Sequence, residues 1–524
     1  MTTQSALERD EVAATRLEPA VYPDEPPFHP DEAYPEYELG ATAGETNRVY
    51  RGVRRCFELA GLDADRAGTE AWNPLRDLID PDETVMLKPN FIKEEHPRDP
   101  DGWKYVLTHG SVIRAVADYV FRALGDEGRV IVADGPQTNS SFAEIVEVLG
   151  LDDVRSFYRE QGRRFELVDL RQQEWESRDS VVVNRLDLDG DPLGYAAFDL
   201  ADRSEFEDHD GEGRYYGADY DSEEVNYHHS EGRHEYLIAA SAVDVDVLFS
   251  LPKMKTHKKA GVTLSLKNLV GINGDKNWLP HHTEAGGGKS GDEHPDPDPA
   301  HQAERAIVPL FRKLSLEVPV VGPQVFRLAR TVGEHIFGAT EETIRSGNWW
   351  GNDTCWRMCL DLNKLLFYGR PDGTFRPDSP GERKRHYVLC DGVVAGEGRG
   401  PMNPDPKRAG TLVFGRHPAS ADAACTWLMG FDPEKIPIVR QAFKCDDFSL
   451  AEWGWRDITV GSDVDRWDGP LAEIPDSATF RFEPHFGWVG HIERNPPKEE
   501  RGEASAVPDG DETQRVHPNG PAGH

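Results

Sequence analysis

The residues best equipped for chemistry lie in one run. From Lys253 to Lys267 the chain reads KMKTHKKAGVTLSLK, and seven of its 17 lysines fall between Lys253 and Lys289, although the 524-residue protein carries a net charge of -35. Cations gathered so tightly against that background point to a bound anion, and His257 adds a group that titrates near neutrality. The apolar, β-branched stretch before them, Val245 to Leu251, reads as a buried strand stopped by Pro252. The lysines therefore leave a strand's carboxyl end, where α/β sheets open onto their ligand crevice. Lys255 and His257 fall on the same side of an extended segment. A helix expected to begin near Gly261 would add backbone N–H donors and a positive dipole end, with Lys267 and Asn268 about two turns into it.

Three more strand exits carry polar groups. Thr84 to Leu87 runs into Lys88, Pro89 and Asn90; Arg129 to Ala133 ends in Asp134-Gly135-Pro136; Tyr387 to Cys390 ends in Asp391-Gly392. Two lysines and two aspartates on one edge of a parallel sheet define the candidate site. In this reading Lys88, Lys253, Lys255 and Lys267 fix the anion, and Asn90, Thr256, Asn268, Asp134 and Gly135 help to hold a ligand. His257 or His109 moves protons, with Lys255 and Lys267 counted among the catalytic groups. Asp391 and Glu397 flank the glycine-rich turn Gly396 to Pro401, where paired carboxylates can bind a divalent metal or act as acid and base. His209, His228, His229 and His234 sit in the acidic stretch Glu205 to His234 and read as an exposed insertion rather than metal ligands. Gly288-Lys289-Ser290 imitates a phosphate loop, but Thr283 stands where the first glycine is required, so this is a flexible polar loop.

Composition bounds the rest. The 94 acidic against 59 basic residues argue against a nucleic-acid partner. No apolar run approaches the roughly 18 residues of a bilayer span, and the N-terminus lacks the basic and apolar regions of a signal peptide. Six scattered cysteines form no disulfide framework. A cytoplasmic protein is expected, with an acidic surface suited to a salt-rich, halophilic interior. Its partner would be a small anionic metabolite, and no membrane is involved. No cofactor is named by the sequence, and nothing in it marks an oligomeric state.

Strands and helices alternate, which implies an α/β fold with a mostly parallel sheet flanked by helices. The helices expected first are Asn47 to Ala60 and Thr108 to Leu124, the second capped by Ser111. Phe165 to Leu170 reads as a further strand, and Ser180 to Asp187 pairs with Leu193 to Phe198 as a hairpin. Residues 1–45 and 491–524, rich in Pro, Glu, Asp and Gly, read as disordered. One domain covers 46–490, with an insertion at about 201–235 and a polar loop at about 280–302.

VMLKPNF, THGSVIRAVADYV, VIVADGP, LFSLPKMKTHKKAGVTLSLKNLVGING, DGVVAGEGRGP and MGFDPEKIP together resemble the domain of unknown function 362 (DUF362) family, from about Val85 to Arg440. Gly351 to Gly369 is similar to a segment of its longer members. The resemblance implies an α/β fold and a site at the lysine-rich run, and no particular activity. Some members carry ferredoxin-type iron–sulfur clusters. Here Cys355 and Cys359 form one CxxxC pair without further cysteines nearby, which argues against a cluster and for packing on a shared helix face. His257, Ala260-Gly261 and Lys267 also resemble the run of the nickel-pincer lactate racemase family, which would imply a racemase or epimerase with His109 as the second histidine. A non-catalytic anion-binding or sensing protein is the competing class, because it needs the same lysines without the acid–base groups.

Overall fold

The computed structural model describes residues 10–178, 181–209, 211–217, 222–285, 291–295, 344 and 346–495. A central sheet runs in the order Gly469–Pro470, Thr459–Ser462, Glu11–Arg16, Thr411–Gly415, Arg385–Glu397, Val247–Leu251, Thr84–Pro89, Arg129–Asp134, Arg164–Asp169. From Arg385–Glu397 to Arg164–Asp169 every neighbouring pair is parallel. Thr411–Gly415 pairs antiparallel with both of its neighbours.

The parallel strands are apolar throughout because both faces are covered. Successive side chains alternate: Val85, Leu87, Val130, Val132, Val247 and Phe249 enter one core, while Met86, Ile131, Ala133 and Leu248 enter the other. The first core is closed by the helices Arg48–Leu59 and Gly110–Leu124, the second by Cys355–Tyr368 and Pro418–Met429. The α/β fold expected from the alternating elements is therefore the one observed. Among the described residues no helix is long and apolar enough to cross a membrane.

Several expectations are corrected. Within residues 1–45, Glu11–Arg16 is a strand inserted in the sheet, with Val12, Ala13 and Ala14 buried. Six residues are too few to offset the Pro-rich composition around them, yet two waiting strand edges order them. Residues 491–495 are also packed, with Ile492 buried and His491 stacked on Trp350; the rest of that segment lies outside the described residues, as do Gly288, Lys289 and Ser290. The hairpin partners differ: Val181–Asp187 pairs with Gln173–Arg178, and Tyr195–Asp199 with Glu235–Ala239. The Gly110–Leu124 helix is capped by His109, whose ring accepts from Ser111 N–H, so the imidazole takes the role assigned to the serine. Gly261–Thr263 is a strand, and the helix that follows is only Ser265–Asn268. Pairing with Lys253–His257 extends the backbone there. Finally, the strand expected to end at Cys390 continues to Glu397, because Lys253–His257 pairs with its second half.

Candidate functional site

The parallel register brings Lys88, Asp134 and Lys253 to the carboxyl ends of adjacent strands, with Asp391 opposite Lys253 in the extension. There they separate into three groups.

The first group satisfies itself. Lys88 Nζ lies 2.7 Å from Asp134 Oδ1, and its other donors reach Pro89 O and Asn268 Oδ1. Asn268 Nδ2 donates to Lys88 O at 2.9 Å and to Ser250 Oγ at 3.2 Å, while its Oδ1 also accepts from Asn90. Asp134 Oδ2 accepts Phe91 N–H. Gly135 N–H donates to Gly271 O at 2.8 Å. Gly271 packs so closely that a Cβ there would stand 1.7 Å from Asp134 Oδ1 and 2.8 Å from Lys88 Nζ, which only glycine permits. The groups read as ligand-binding at this end are thus engaged with one another. Thr256 likewise donates its hydroxyl to Gly398 O.

The second group is a buried ion pair. Lys253 Nζ lies 2.7 Å from both Asp391 Oδ2 and Tyr22 Oη, and Tyr22 donates to Asp391 Oδ1 at 2.7 Å. Asp391 also accepts the N–H groups of His109 and Val393. His109 stacks on Tyr22 with ring centroids 4.0 Å apart. Burial, then Lys253 and Lys104, hold its imidazole well below the usual histidine range. Glu397 is not its partner carboxylate: it pairs with Lys407 at 2.9 Å and accepts Glu483 N–H. His109 caps the Gly110–Leu124 helix and stacks on Tyr22.

The third group, of three further lysines, lacks carboxylate partners within salt-bridge distance among the described residues. Lys255 is fully buried and donates to two neutral oxygens, Asn90 Oδ1 at 3.0 Å and Val106 O at 2.6 Å. Burial, then Lys253 and Lys267, hold it well below the usual lysine range. Lys267 is 8% exposed, and among the described residues its ammonium has no hydrogen bond or ion-pair partner. Its charge acts on Lys255, His257, Lys259, His281 and Cys355. Lys259 is pushed down to about 7 by burial and then by Lys258, and its Nζ lies 3.0 Å from His282 Nδ1.

Hydrogen bonding assigns the two imidazoles opposite tautomers. His257 Nδ1 accepts the N–H groups of Lys259 and Ala260 at 3.0 and 3.1 Å, so the neutral ring carries its proton on Nε2. His281 Nδ1 lies 2.9 Å from Leu279 O and must donate to it, which leaves a lone pair on Nε2. Burial followed by Lys267 lowers both rings well below the usual histidine range, and His281 further lowers His257. One neutral imidazole therefore offers an N–H hydrogen-bond donor and the other a lone pair, so that His281 Nε2 can accept a proton while His257 can polarise an oxygen.

The short Ser265–Asn268 helix that carries Lys267 is fixed from behind. Asp422, within the Pro418–Met429 helix, accepts Ser265 and Leu266 N–H at 2.8 Å each. Burial raises this carboxyl to about 7. It caps another helix rather than complementing the dipole of its own. Cys355 and Cys359 share one buried helix face as expected, but Lys259 and Lys267 border the first of them. The histidines of the insertion are packed inward: His228 stacks on Trp278 at 3.3 Å, and His229 Nε2 lies 2.9 Å from Trp278 O. Among the described residues no group of three or more His, Cys, Asp or Glu side chains could hold a metal ion.

Sequence reasoning missed Tyr22, Lys259 and His281. Tyr22 lay in a segment read as disordered, and Lys259 and His281 carry no signal beyond their place in the basic run and beside His282.

Fold and site together define an α/β protein with polar groups gathered at parallel strand ends. Residues 201–427 match the family described as domain of unknown function (DUF362), and the resemblance read from the lysine-rich segment is thereby shown over that stretch. No curated protein matches. A crystal structure of a Thermotoga maritima protein is similar with 11% identity and a TM-score of 0.29, over 67% of this chain and 56% of that one. The likeness spans little more than half of that protein.

Proposed function

We propose that the protein binds a small carboxylated or phosphorylated metabolite at Lys267 and moves a proton on it with His257 and His281. The observation that carries this reading is Lys267, a side chain only 8% exposed whose ammonium has no hydrogen-bond or ion-pair partner among the described residues. Burying a charge costs several kcal/mol unless it is paired, and an anion supplies the missing partner. Lys255 and Lys259 add field from behind, while Lys88 and Lys253 are already neutralised. The paired imidazoles favour an enzyme over a carrier, because a carrier gains nothing from one N–H donor set beside one acceptor. If acid and base act as a pair, the second histidine is His281 rather than His109.

Thermal unfolding in the presence of sulfate, phosphate and di- and tricarboxylates tests the binding step. Stabilisation by at least one of them, lost in Lys267→Ala, is expected; equal stabilisation of wild type and variant would defeat the reading. The most stabilising carboxylate is then incubated with the protein in heavy water. Deuterium entering its carbon skeleton with wild type but not with His257→Gln marks an enzyme. Binding with no exchange in either protein marks the carrier.

A further inference from the structure

We propose that the anion held at Lys267 is a phosphoryl group, and that the Thr263 and Ser265 hydroxyls are the donors that select it over a carboxylate. The inference rests on the anion-binding reading and adds to it the chemical class of the ligand. Thr263 is 3% exposed and Ser265 fully buried, and neither hydroxyl has a hydrogen-bond partner among the described residues. Buried hydroxyls are mostly satisfied, because a bare one forfeits its bonds to water and receives nothing in return. Two such hydroxyls on the stretch that leads directly into Lys267 mark a place where acceptors arrive from outside the protein.

The register shows which way Thr263 points. It stands opposite Lys255 in the antiparallel pair of Lys253–His257 with Gly261–Thr263, and directly opposed residues share a face. Lys255 and His257 lie on that face together by alternation. Val262 and Leu264, on either side of Thr263, enter the apolar core instead. Ser265 opens the helix that carries Lys267, and Asp422 accepts its N–H and that of Leu266. The backbone of Ser265 is thereby committed to the protein while its hydroxyl is not.

Donor number and charge choose the ligand. A carboxylate presents two oxygens. A phosphoryl group presents three strong acceptor oxygens and carries more than one negative charge near neutrality. Three separate donors, the Lys267 ammonium and the two hydroxyls, match those oxygens one apiece. Lys259, whose Nζ lies 3.0 Å from His282 Nδ1 and not against a carboxylate, adds positive charge beyond what a single carboxylate neutralises. The ligand class is therefore a small phosphate monoester, with its carbon skeleton towards His257 and His281.

Sulfate and malonate test this, because both are doubly charged near pH 7 and only sulfate is tetrahedral. Each is titrated calorimetrically into wild type, Thr263→Val, Thr263→Ser, Ser265→Ala and Lys267→Ala. Wild type should bind sulfate about tenfold more tightly than malonate, the worth of one hydrogen bond to a charged group. Thr263→Val, of unchanged shape, should lose about that factor for sulfate and little for malonate; Ser265→Ala should do the same, and Thr263→Ser should keep wild-type affinity. The ligand-free melting temperature of Thr263→Val should hold or rise, since a methyl replaces an unpaired hydroxyl. A fall would show that the hydroxyl already has a partner, and would overturn the proposal. So would a wild type that prefers malonate, or a Thr263→Val that binds sulfate as wild type does. Lys267→Ala judges the underlying reading separately. If it loses both anions while Thr263→Val keeps sulfate, only the hydroxyl proposal fails; if wild type binds neither anion, or Lys267→Ala binds both as wild type does, the two fail together.

Discussion

Lys88 and Lys253 on one hand, and Lys255, Lys259 and Lys267 on the other, come from the same strand-end region and meet opposite fates. Each of the first two is buried against a carboxylate 2.7 Å away. The other three are buried with neutral acceptors, a histidine or nothing. A paired ammonium holds the fold together, because removing its partner strands a charge in the interior. An unpaired one strains the fold until something anionic arrives. The same residue type thus serves structure in one region and, in the proposed reading, recognition in the other.

The largest expected effect breaks the paired side. Asp391→Asn should cost about 3–5 kcal/mol by leaving Lys253 uncompensated, read as a fall in the denaturation midpoint, with anion stabilisation kept in whatever folds. If it costs under 1 kcal/mol, the pair is not the brace described here.

On the unpaired side the sign inverts. Lys267→Met should raise the stability of the ligand-free protein by about 1 kcal/mol, since an uncompensated charge is replaced by a side chain of similar volume. It should also abolish the roughly 2.7 kcal/mol of stabilisation expected from an anion at 100 times its Kd. A variant less stable without ligand would contradict the contrast.

The pH dependence sharpens it further. Lys259 titrates at about 7 in the fold, below its unfolded value, so its charge is present below pH 7 and lost above. His257 and His281, both lowered, stay neutral across this window. Sulfate, whose own charge is constant there, should therefore bind about tenfold more weakly at pH 8 than at pH 6, one pKa unit of linkage. Calorimetric titration reads this directly, and Lys259→Met should flatten the profile.

The smallest effect belongs to the support. Asp422→Asn removes one of two acceptors from the helix carrying Lys267 and should cost about 1 kcal/mol. Its effect on sulfate should appear as weaker affinity at unchanged stoichiometry.

The sequence by itself determined the parallel strands, because alternation is absent wherever both faces are buried, and it located the basic run because local charge density needs no tertiary information. It also fixed a local pair: Asp353, just before the Cys355–Tyr368 helix, and Arg357 in its first turn meet at 3.0 Å. Only the tertiary structure decided which lysines are neutralised. Asp391 lies 138 residues from Lys253, and Tyr22 lies 231 residues away in the other direction. The role of Asp422 as a cap for a helix 157 residues distant was decided the same way. Charge compensation acts through space at a few ångströms. Sequence spacing therefore reports it only within a helix turn or a strand, and leaves the rest to the fold.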